Sequence, residues 1–241
     1  MLTDYVVIDL EMTGLNAKTD RILETGAARV RGNVVTATFS EIINPKRELS
    51  EKVISLTGIT NEMAVQGKEM DATLKAFLDF IGEDILVGQN VIFDYSFLKQ
   101  WAVNHKRTFE RNAVDTLKLA RKFLPQEQKK DLASLCSYFG IERVHAHRAL
   151  DDEMETQQIF EQMQKMYGAG ATEAFRPYPL QYKVKKQSPA TPQQIKYLKQ
   201  FVEFHGIPMP EIYEDATRSE ISRLTDQLIA QYGKMKKEPA E

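Results

Sequence analysis

The order of strand-like and helix-like segments is the feature that most restricts the fold of this chain. Residues 5–10 form a β-branched run, and two further strand patterns, 22–31 and 34–44, meet at Gly32-Asn33. That pair favours a tight hairpin turn. Beyond it, segments with helical spacing of apolar residues alternate with short strand patterns. Hairpin strands followed by alternating helices and strands predict an α/β protein, with a mixed sheet covered by helices.

The predicted helices share apolar residues spaced three to four positions apart. They cover residues 49–56, 71–81, 93–103, 116–123, 132–139 and 149–166. Short strand patterns lie at residues 85–87 and end at Val114. We therefore predict one large domain over residues 1–168.

A smaller module is predicted after that domain. Glycines and prolines interrupt residues 169–190, which we interpret as a linker. Thr191 with Gln194, and Thr217 with Glu220, form two capping boxes, and each predicts a helix start. Residues 191–233 are thus predicted to be a helix–loop–helix module, followed by a charged tail at 234–241.

Composition excludes several classes of protein. Cys136 is the one cysteine, so there is no disulfide framework and no cysteine-based zinc site, and a reducing compartment is favoured. The longest uncharged stretch, residues 132–141, is far shorter than the ~18 residues of a membrane span. We expect a cytoplasmic protein without membrane contact.

Residues 176–200 hold six basic residues and no acidic one, which fits either a polyanion partner or a solvated linker.

Paired carboxylates stand at the end of the first strand. Asp9 and Glu11 are two positions apart, so their side chains should point to the same face. Two carboxylates this close repel each other unless a cation lies between them. Mg²⁺ prefers such hard oxygen ligands. The alternative is a solvated strand end that carries acids by chance.

Three more residues could join this pair. Asp94 follows the strand pattern at 85–87 and stands near the start of the next helix, where it could also serve as a cap. His147 stands five residues before Asp152, which falls on the first turn of the helix predicted at 149–166. A lone histidine is more often structural. A histidine that precedes an aspartate, in a chain with two earlier acidic elements, favours a site.

In this order, Asp9-x-Glu11, Asp94 and His147-x4-Asp152 resemble the histidine-bearing branch of the DEDD superfamily of 3′–5′ exonucleases. The resemblance covers residues 3–166. Within the superfamily, the chain is most similar to the proofreading exonucleases of bacterial DNA polymerase III, of the epsilon type and of the Gram-positive replicative polymerase. The segments that carry the similarity are IDLEMTGL, ILETGAARV, INPKRELSEKVISLTGITNEM, ILVGQNVIFDYSFL, AVDTLKLAR and HRALDDEMET.

The resemblance implies a ribonuclease H-like fold and a site for two divalent cations, Mg²⁺ or Mn²⁺. It implies that His147 is the general base toward the attacking water. The implied metal ligands are Asp9, Glu11, Asp94 and Asp152. The implied substrate contacts are Thr13, Gly14, Leu15, Thr57, Asn90, Phe93 and Phe97. Phe93 and Phe97 are also spaced as core residues of one helix.

Some positions depart from the motif or stand beside it. Gln89 occupies a position where relatives carry histidine or another polar residue, so it could alter nucleotide positioning. His145 and Asp151 stand out of register with the motif, and we interpret them as bystanders. Asp115 is expected to cap or orient the helix at 116–123.

The predicted function is metal-dependent release of nucleoside 5′-monophosphates from DNA 3′ ends, single-stranded or frayed. RNA 3′-end trimming is the alternative within the same chemistry. An adaptor that binds nucleic acid or a polymerase without catalysis is the alternative of another class. Three roles stay open for the C-terminal module: binding the substrate strand, docking to a polymerase or clamp, or packing.

Overall fold

The computed structural model describes residues 1–143, 149–184, 186–210, 212 and 216–235. Contacts divide the chain into two compact units, Met1–Val184 and Lys185–Glu241. His145, His147 and most of the predicted charged tail lie outside the described residues.

Among the described residues of the first unit, six strands form a mixed sheet in the order β3-β2-β1-β4-β5-β6. The strands are β1 Tyr5–Met12, β2 Ile22–Arg31, β3 Val34–Ile42, β4 Leu86–Gly88, β5 Asn112–Asp115 and β6 Tyr178–Pro179. The first three strands pair antiparallel, whereas β4 pairs parallel with both β1 and β5. The prediction of a mixed sheet flanked by helices is confirmed.

The predicted hairpin turn joins β2 to β3. Gly32 and Asn33 have φ angles of 57° and 63°. Positive φ at both central residues is what a type I′ turn requires, and glycine and asparagine tolerate it best. This turn matches the twist of the two strands that it connects.

In the described part of the first unit, seven helices follow the sheet strands or cover them. They are α1 Glu51–Thr57, α2 Asn61–Val65, α3 Met70–Ile81, α4 Ile92–Asn104, α5 Thr116–Phe123, α6 Leu132–Phe139 and α7 Ala149–Tyr167. The sequence analysis did not predict α2, because five residues are too few to show a helical period. Its start is nevertheless marked by Thr60, whose side chain accepts a hydrogen bond from the N–H of Met63.

Side chains of β1 point alternately to the two sides of the sheet, and each side has its own hydrophobic core. Val6 and Ile8 pack with α3 and α4 on one side. Tyr5 and Val7 pack with α5, α6 and α7 on the other. The Tyr5 and Phe160 rings meet edge to face, with 5.1 Å between centroids. Because side chains alternate, the residues that continue the Tyr5–Val7 face are Asp9 and Glu11.

Part of the segment that we expected to be a linker folds with the first unit. Residues Thr172–Phe175 form a 3₁₀ turn, and Tyr178 pairs with Ala113 at the edge of the sheet. Leu180 is buried in the core beside α3 and α4. The apolar side chains of this stretch find partners despite its prolines, so the first unit extends to Val184.

The second unit contains α8 Pro192–His205 and α9 Arg218–Tyr232. Both predicted capping boxes are present, Thr191 with Gln194 and Thr217 with Glu220. Leu198 and Val202 of α8 pack with Ile221 of α9 in a small core. Within the part of the chain that the structure describes, every helix is too short or too polar to span a bilayer.

Candidate active site

Three carboxylates meet where β1 passes under α7. Asp9 and Glu11 share the face of β1 that α7 covers, and the first turns of α7 carry Asp152. One carboxylate oxygen from each of the three lies within 4.8 Å of the other two. Asp152 is separated from Asp9 and Glu11 by more than 140 positions in the chain, and the packing of α7 on the sheet brings the three together.

Asp94 joins the group from the other side of the sheet. It lies on the first turn of α4, is 4% exposed, and its Oδ1 accepts a hydrogen bond from the backbone N–H of Leu10 at 3.1 Å. Leu10 stands between Asp9 and Glu11 in the strand. The four acids of the sequence motif therefore surround the end of β1.

Burial and mutual repulsion make the ionised state of this group costly. Burial, and then the charge of Asp94, raise the pKa of Asp9 well above its ordinary value. Burial, and then Asp152, raise the pKa of Glu11 to about 8. Burial raises the pKa of Asp94 to about 7, against the opposing effect of backbone N–H donors, including that of Leu10. Positive charge placed among these groups would reverse these shifts.

The donor set fits divalent metal ions. All of its atoms are carboxylate oxygens, the hard ligands that Mg²⁺ and Mn²⁺ prefer over nitrogen or sulfur. The residues that would hold the ions are Asp9, Glu11, Asp94 and Asp152. Such ions, when bound, can lower the pKa of a water and stabilise charge on a leaving oxygen.

Two further buried acids stand behind this group, and the sequence analysis missed both. Glu24 is 1% exposed and lies directly opposite Glu11 in the β1–β2 register. Glu153 is fully buried, and neither of its carboxyl oxygens has a hydrogen-bond partner among the described residues. Burial, and then the charges of Asp9 and Glu24, raise the pKa of Glu153 to about 11. Glu153 therefore carries a proton at neutral pH.

A basic residue also reaches the edge of the site. The Arg143 guanidinium donates to Asp152 Oδ1 at 2.7 Å and to Glu155 Oε2 at 2.8 Å. Glu155 Oε2 also lies 3.5 Å from Cys136 Sγ. Arg143 thus pairs two buried acids of α7. The only sign of this pairing in the sequence is that the first half of α7 carries acidic residues at positions where a buried helix normally carries apolar ones.

His147, the residue expected to act as the base, lies outside the described residues, as does His145. The chain is described up to Arg143 on one side and from the start of α7 on the other. Arg143 and Asp152, which flank the segment, both lie at the carboxylate group. The role of His147 stays a prediction from the sequence.

A cavity of about 360 Å³ is lined by residues of the loop after β1 and of the start of α4, the elements next to Glu11 and Asp94 in the chain. It is lined by three of the seven predicted substrate contacts, Leu15, Asn90 and Phe93. Leu15 is 84% exposed, although it is a large apolar side chain. Asn90 has a φ of 61°, and its N–H donates to Asp115 Oδ1 at 3.1 Å. That bond fixes the turn between β4 and α4.

Thr13 and Gly14 are part of the loop that follows β1. The Oγ1 of Thr13 accepts from the N–H of Arg21 at 2.9 Å. A Cβ at Gly14 would lie 2.4 Å from Asp20 Oδ2, so a side chain there would displace the carboxylate that accepts from the N–H of Asn16. These contacts set the loop shape that carries Leu15 to the cavity.

The other two predicted contacts are buried. Thr57 donates its hydroxyl to the carbonyl of Val53 and is 1% exposed. Phe97 is 3% exposed and packs edge to face on Phe93, with 5.5 Å between ring centroids. Both side chains are buried inside the first unit, and neither lines the cavity.

The neighbouring polar residues have structural partners. Gln89 donates to the carbonyl of Lys130 at 2.7 Å and accepts from the Thr116 hydroxyl. Its side chain is therefore held between β4 and the segment before α6. Asp115 accepts from the N–H groups of Leu117 and Lys118, so its predicted capping role is confirmed.

Comparison with known proteins identifies the family of this chain. The sequence profile of the exonuclease family RNase T matches residues 6–160. The chain is 36% identical over 171 residues to the DNA polymerase III epsilon subunit of Aquifex aeolicus, covering 69% of this chain and 85% of that protein. It is 37% identical over 166 residues to DNA polymerase III PolC-type of Bacillus subtilis, covering 67% of this chain and 11% of that much longer protein.

Solved structures agree on the fold. The nuclease domain of 3′hExo, a DEDDh family member solved with bound rAMP, superposes with a TM-score of 0.59 at 20% identity. The match covers 73% of this chain and 96% of that domain. The ribonuclease H-like fold expected from the sequence is thus shown. Taken with the family match, these relatives show that the chain belongs to the RNase T family of exonucleases and is a 3′–5′ exonuclease related to the epsilon subunit of DNA polymerase III.

Proposed function

We propose that the enzyme releases nucleoside 5′-monophosphates from DNA 3′ ends by hydrolysis with two divalent cations. The observation that carries this proposal is the meeting of Asp9, Glu11 and Asp152, with Asp94 tied to the same strand. Four carboxylates around one strand end supply enough negative charge for two ions. A pair of ions suits an in-line displacement at phosphorus, in which both the attacking and the leaving oxygen carry charge.

The chain's own residues would divide the work. The four acids would fix the scissile phosphate through the ions that they hold. His147 would take the proton of the attacking water, since an imidazole near its unperturbed pKa can accept a proton at neutral pH. The cavity lined by Leu15, Asn90 and Phe93 would hold the terminal nucleotide. Proton removal and nucleotide positioning thus come from different segments.

DNA is the proposed substrate because the polymerase subunit of Aquifex aeolicus is a close relative over most of both chains. A role in proofreading or repair follows from the same relative. A non-catalytic adaptor is disfavoured, since such a protein has no need to bury several mutually repelling acids.

A role in strand binding is proposed for the C-terminal module. Lys196 and Lys199 of α8 follow a basic stretch that begins at Arg176, and such residues contact phosphates without regard to sequence. Docking to a polymerase or clamp is the alternative for this module. Removing residues 186–241 should weaken strand binding and its salt dependence if the first role is correct, and should leave both unchanged if the second is.

A degradation assay on 5′-labelled strands tests the function. It compares single-stranded DNA, a mismatched primer–template and RNA of the same sequence, each with Mg²⁺ or Mn²⁺. We expect a descending ladder on both DNA substrates and little cleavage of RNA. A ladder on RNA alone would instead assign the enzyme to RNA trimming. No cleavage of any substrate by the wild type, or wild-type rates in Asp9→Ala at saturating Mg²⁺, would contradict the proposal.

A further inference from the structure

One aromatic residue of the cavity lined by the loop after β1 and the start of α4 has no place in the exonuclease motifs. Tyr182 lines this cavity together with Leu15, Asn90 and Phe93. It stands beyond the residues matched by the family profile, which end at 160. The sequence pattern assigned its segment to a linker, whereas the structure places it against the first unit.

The backbone around Tyr182 is fixed to the sheet. Tyr178 pairs with Ala113 of β5, and the N–H of Leu180 donates to the carbonyl of Arg111 at 2.9 Å. The Leu180 side chain is 3% exposed. Tyr182 follows two residues later, is partly buried, and packs against the same core. The hydrogen-bonded residues before Tyr182 therefore fix the position of its ring at the cavity.

The cavity shares two chain elements with the proposed site of hydrolysis. Phe93 immediately precedes Asp94 at the start of α4, and Leu15 stands four residues after Glu11. Both elements that bring acids to the site therefore also provide cavity walls.

The cavity walls suit a flat, partly apolar group. Two aromatic rings, Phe93 and Tyr182, and the exposed side chain of Leu15 offer apolar surface. Asn90 and Ser96 add polar groups at the margin. Single-stranded nucleic acids are commonly held by aromatic side chains on which bases stack, at about 1–3 kcal/mol per base. A nucleobase presents that surface together with polar edges.

We propose that Tyr182 forms the outer wall of the pocket for the 3′-terminal nucleobase and binds that base by stacking. This proposal rests on the proposed function, since it concerns the end of the strand that is hydrolysed. It makes the segment after α7 part of substrate recognition. Stacking is tolerant of base identity, so the pocket should accept all four bases at a DNA 3′ end.

Equilibrium binding to two strands tests this proposal. One strand has an ordinary 3′-terminal nucleotide, and the other has an abasic 3′-terminal residue. Affinities are measured by fluorescence anisotropy with Ca²⁺, and any cleavage is followed on the same samples. The variants are Tyr182→Ala, Tyr182→Phe and, as a matched control, Tyr138→Ala, which removes a surface tyrosine of the same unit that does not line the cavity. Melting temperatures confirm that each variant is folded.

We expect Tyr182→Ala to weaken binding of the ordinary strand about tenfold, and to change binding of the abasic strand less than about twofold. Tyr182→Phe and Tyr138→Ala should bind like the wild type. Equal weakening on both strands, no weakening, or a Tyr182→Phe variant as weak as Tyr182→Ala would overturn the proposal. Failure of the proposed function is a separate result: the base-dependent loss of affinity would then appear without any metal-dependent cleavage by the wild type in Mg²⁺ or Mn²⁺.

Discussion

The backbone N–H of Leu10 donates a hydrogen bond to Asp94 Oδ1 across 3.1 Å. This bond joins the first strand to the start of α4, although 84 positions separate the two residues. It places the fourth carboxylate beside Asp9 and Glu11, and the charge of Asp94 raises the pKa of Asp9 in turn. The position of residue 94 in the site thus depends on a hydrogen bond that the amide oxygen of an asparagine could also accept.

The first prediction concerns the variant Asp94→Asn. Asp94→Asn keeps an oxygen that can accept from Leu10, but removes a negative charge from the metal site. We expect kcat to fall by about 10²-fold or more, because charge stabilisation in such sites is worth that much. The melting temperature in EDTA should not fall, since burial already disfavours the charged form of Asp94. Exposed Asp79→Asn is the control, and wild-type kcat for Asp94→Asn at saturating Mg²⁺ would refute the assignment.

Glu153 makes stability depend on pH. Its pKa rises from 4.5 to about 11 on folding, so between these values the folded chain holds a proton that the unfolded chain releases. The free energy of unfolding should therefore fall as pH rises through this window, by at most about 1.4 kcal/mol per pH unit from this group. Glu153→Gln is neutral throughout, and should unfold at a higher temperature at pH 8 than the wild type.

Thermal unfolding in EDTA at about pH 6, 7 and 8 measures this effect. The gap in melting temperature between Glu153→Gln and the wild type should widen as pH rises. A gap that stays constant, or a less stable variant at pH 8, would show that Glu153 is ionised in the folded protein.

Arg143 is expected to stabilise α7. Arg143→Met would leave Glu155, which is 4% exposed, without its cationic partner. Breaking a buried pair in this way costs about 3–5 kcal/mol. The double variant Arg143→Met/Glu155→Gln should regain part of that loss, because no unpaired charge remains at position 155. Chemical denaturation measures all three proteins, and a double variant no more stable than Arg143→Met would exclude this pairing as the cause.

His147 is predicted to act in the chemical step. His147→Ala should lower kcat by about 10²- to 10⁴-fold, the range for loss of a general base. Binding of a nucleoside monophosphate with Mn²⁺ should be retained, because the carboxylates are unchanged. His145→Ala is the matched control and should keep wild-type kcat. The reverse pattern would exchange the roles of the two histidines.

Local sequence patterns predicted much of the fold. The β-branched run at residues 5–10 indicated a buried strand, and Gly32-Asn33 marked the hairpin turn. Capping residues located helix starts, as Thr191 and Thr217 show. These features depend on neighbours in sequence, so they are readable from the chain alone.

The parts that the sequence did not predict depend on contacts between distant segments. Glu24 faces Glu11 only because of the register between β1 and β2, which the intervening loop does not encode in an obvious way. From the sequence alone, Glu153 looks like an exposed residue of a helix. It is buried because α7 packs on the sheet. Tyr182 lies in a proline-rich stretch without periodicity, and only the pairing of β6 with β5 shows where it goes.

The claim that Asp9, Glu11, Asp94 and Asp152 hold two divalent cations is tested most directly by metal stoichiometry. Isothermal titration with MnCl₂, in the presence of a nucleoside 5′-monophosphate, counts the ions that the chain binds. The account predicts two Mn²⁺ per wild-type chain and fewer for Asp9→Asn. No bound Mn²⁺ in the wild type, or two in Asp9→Asn at unchanged affinity, would contradict it.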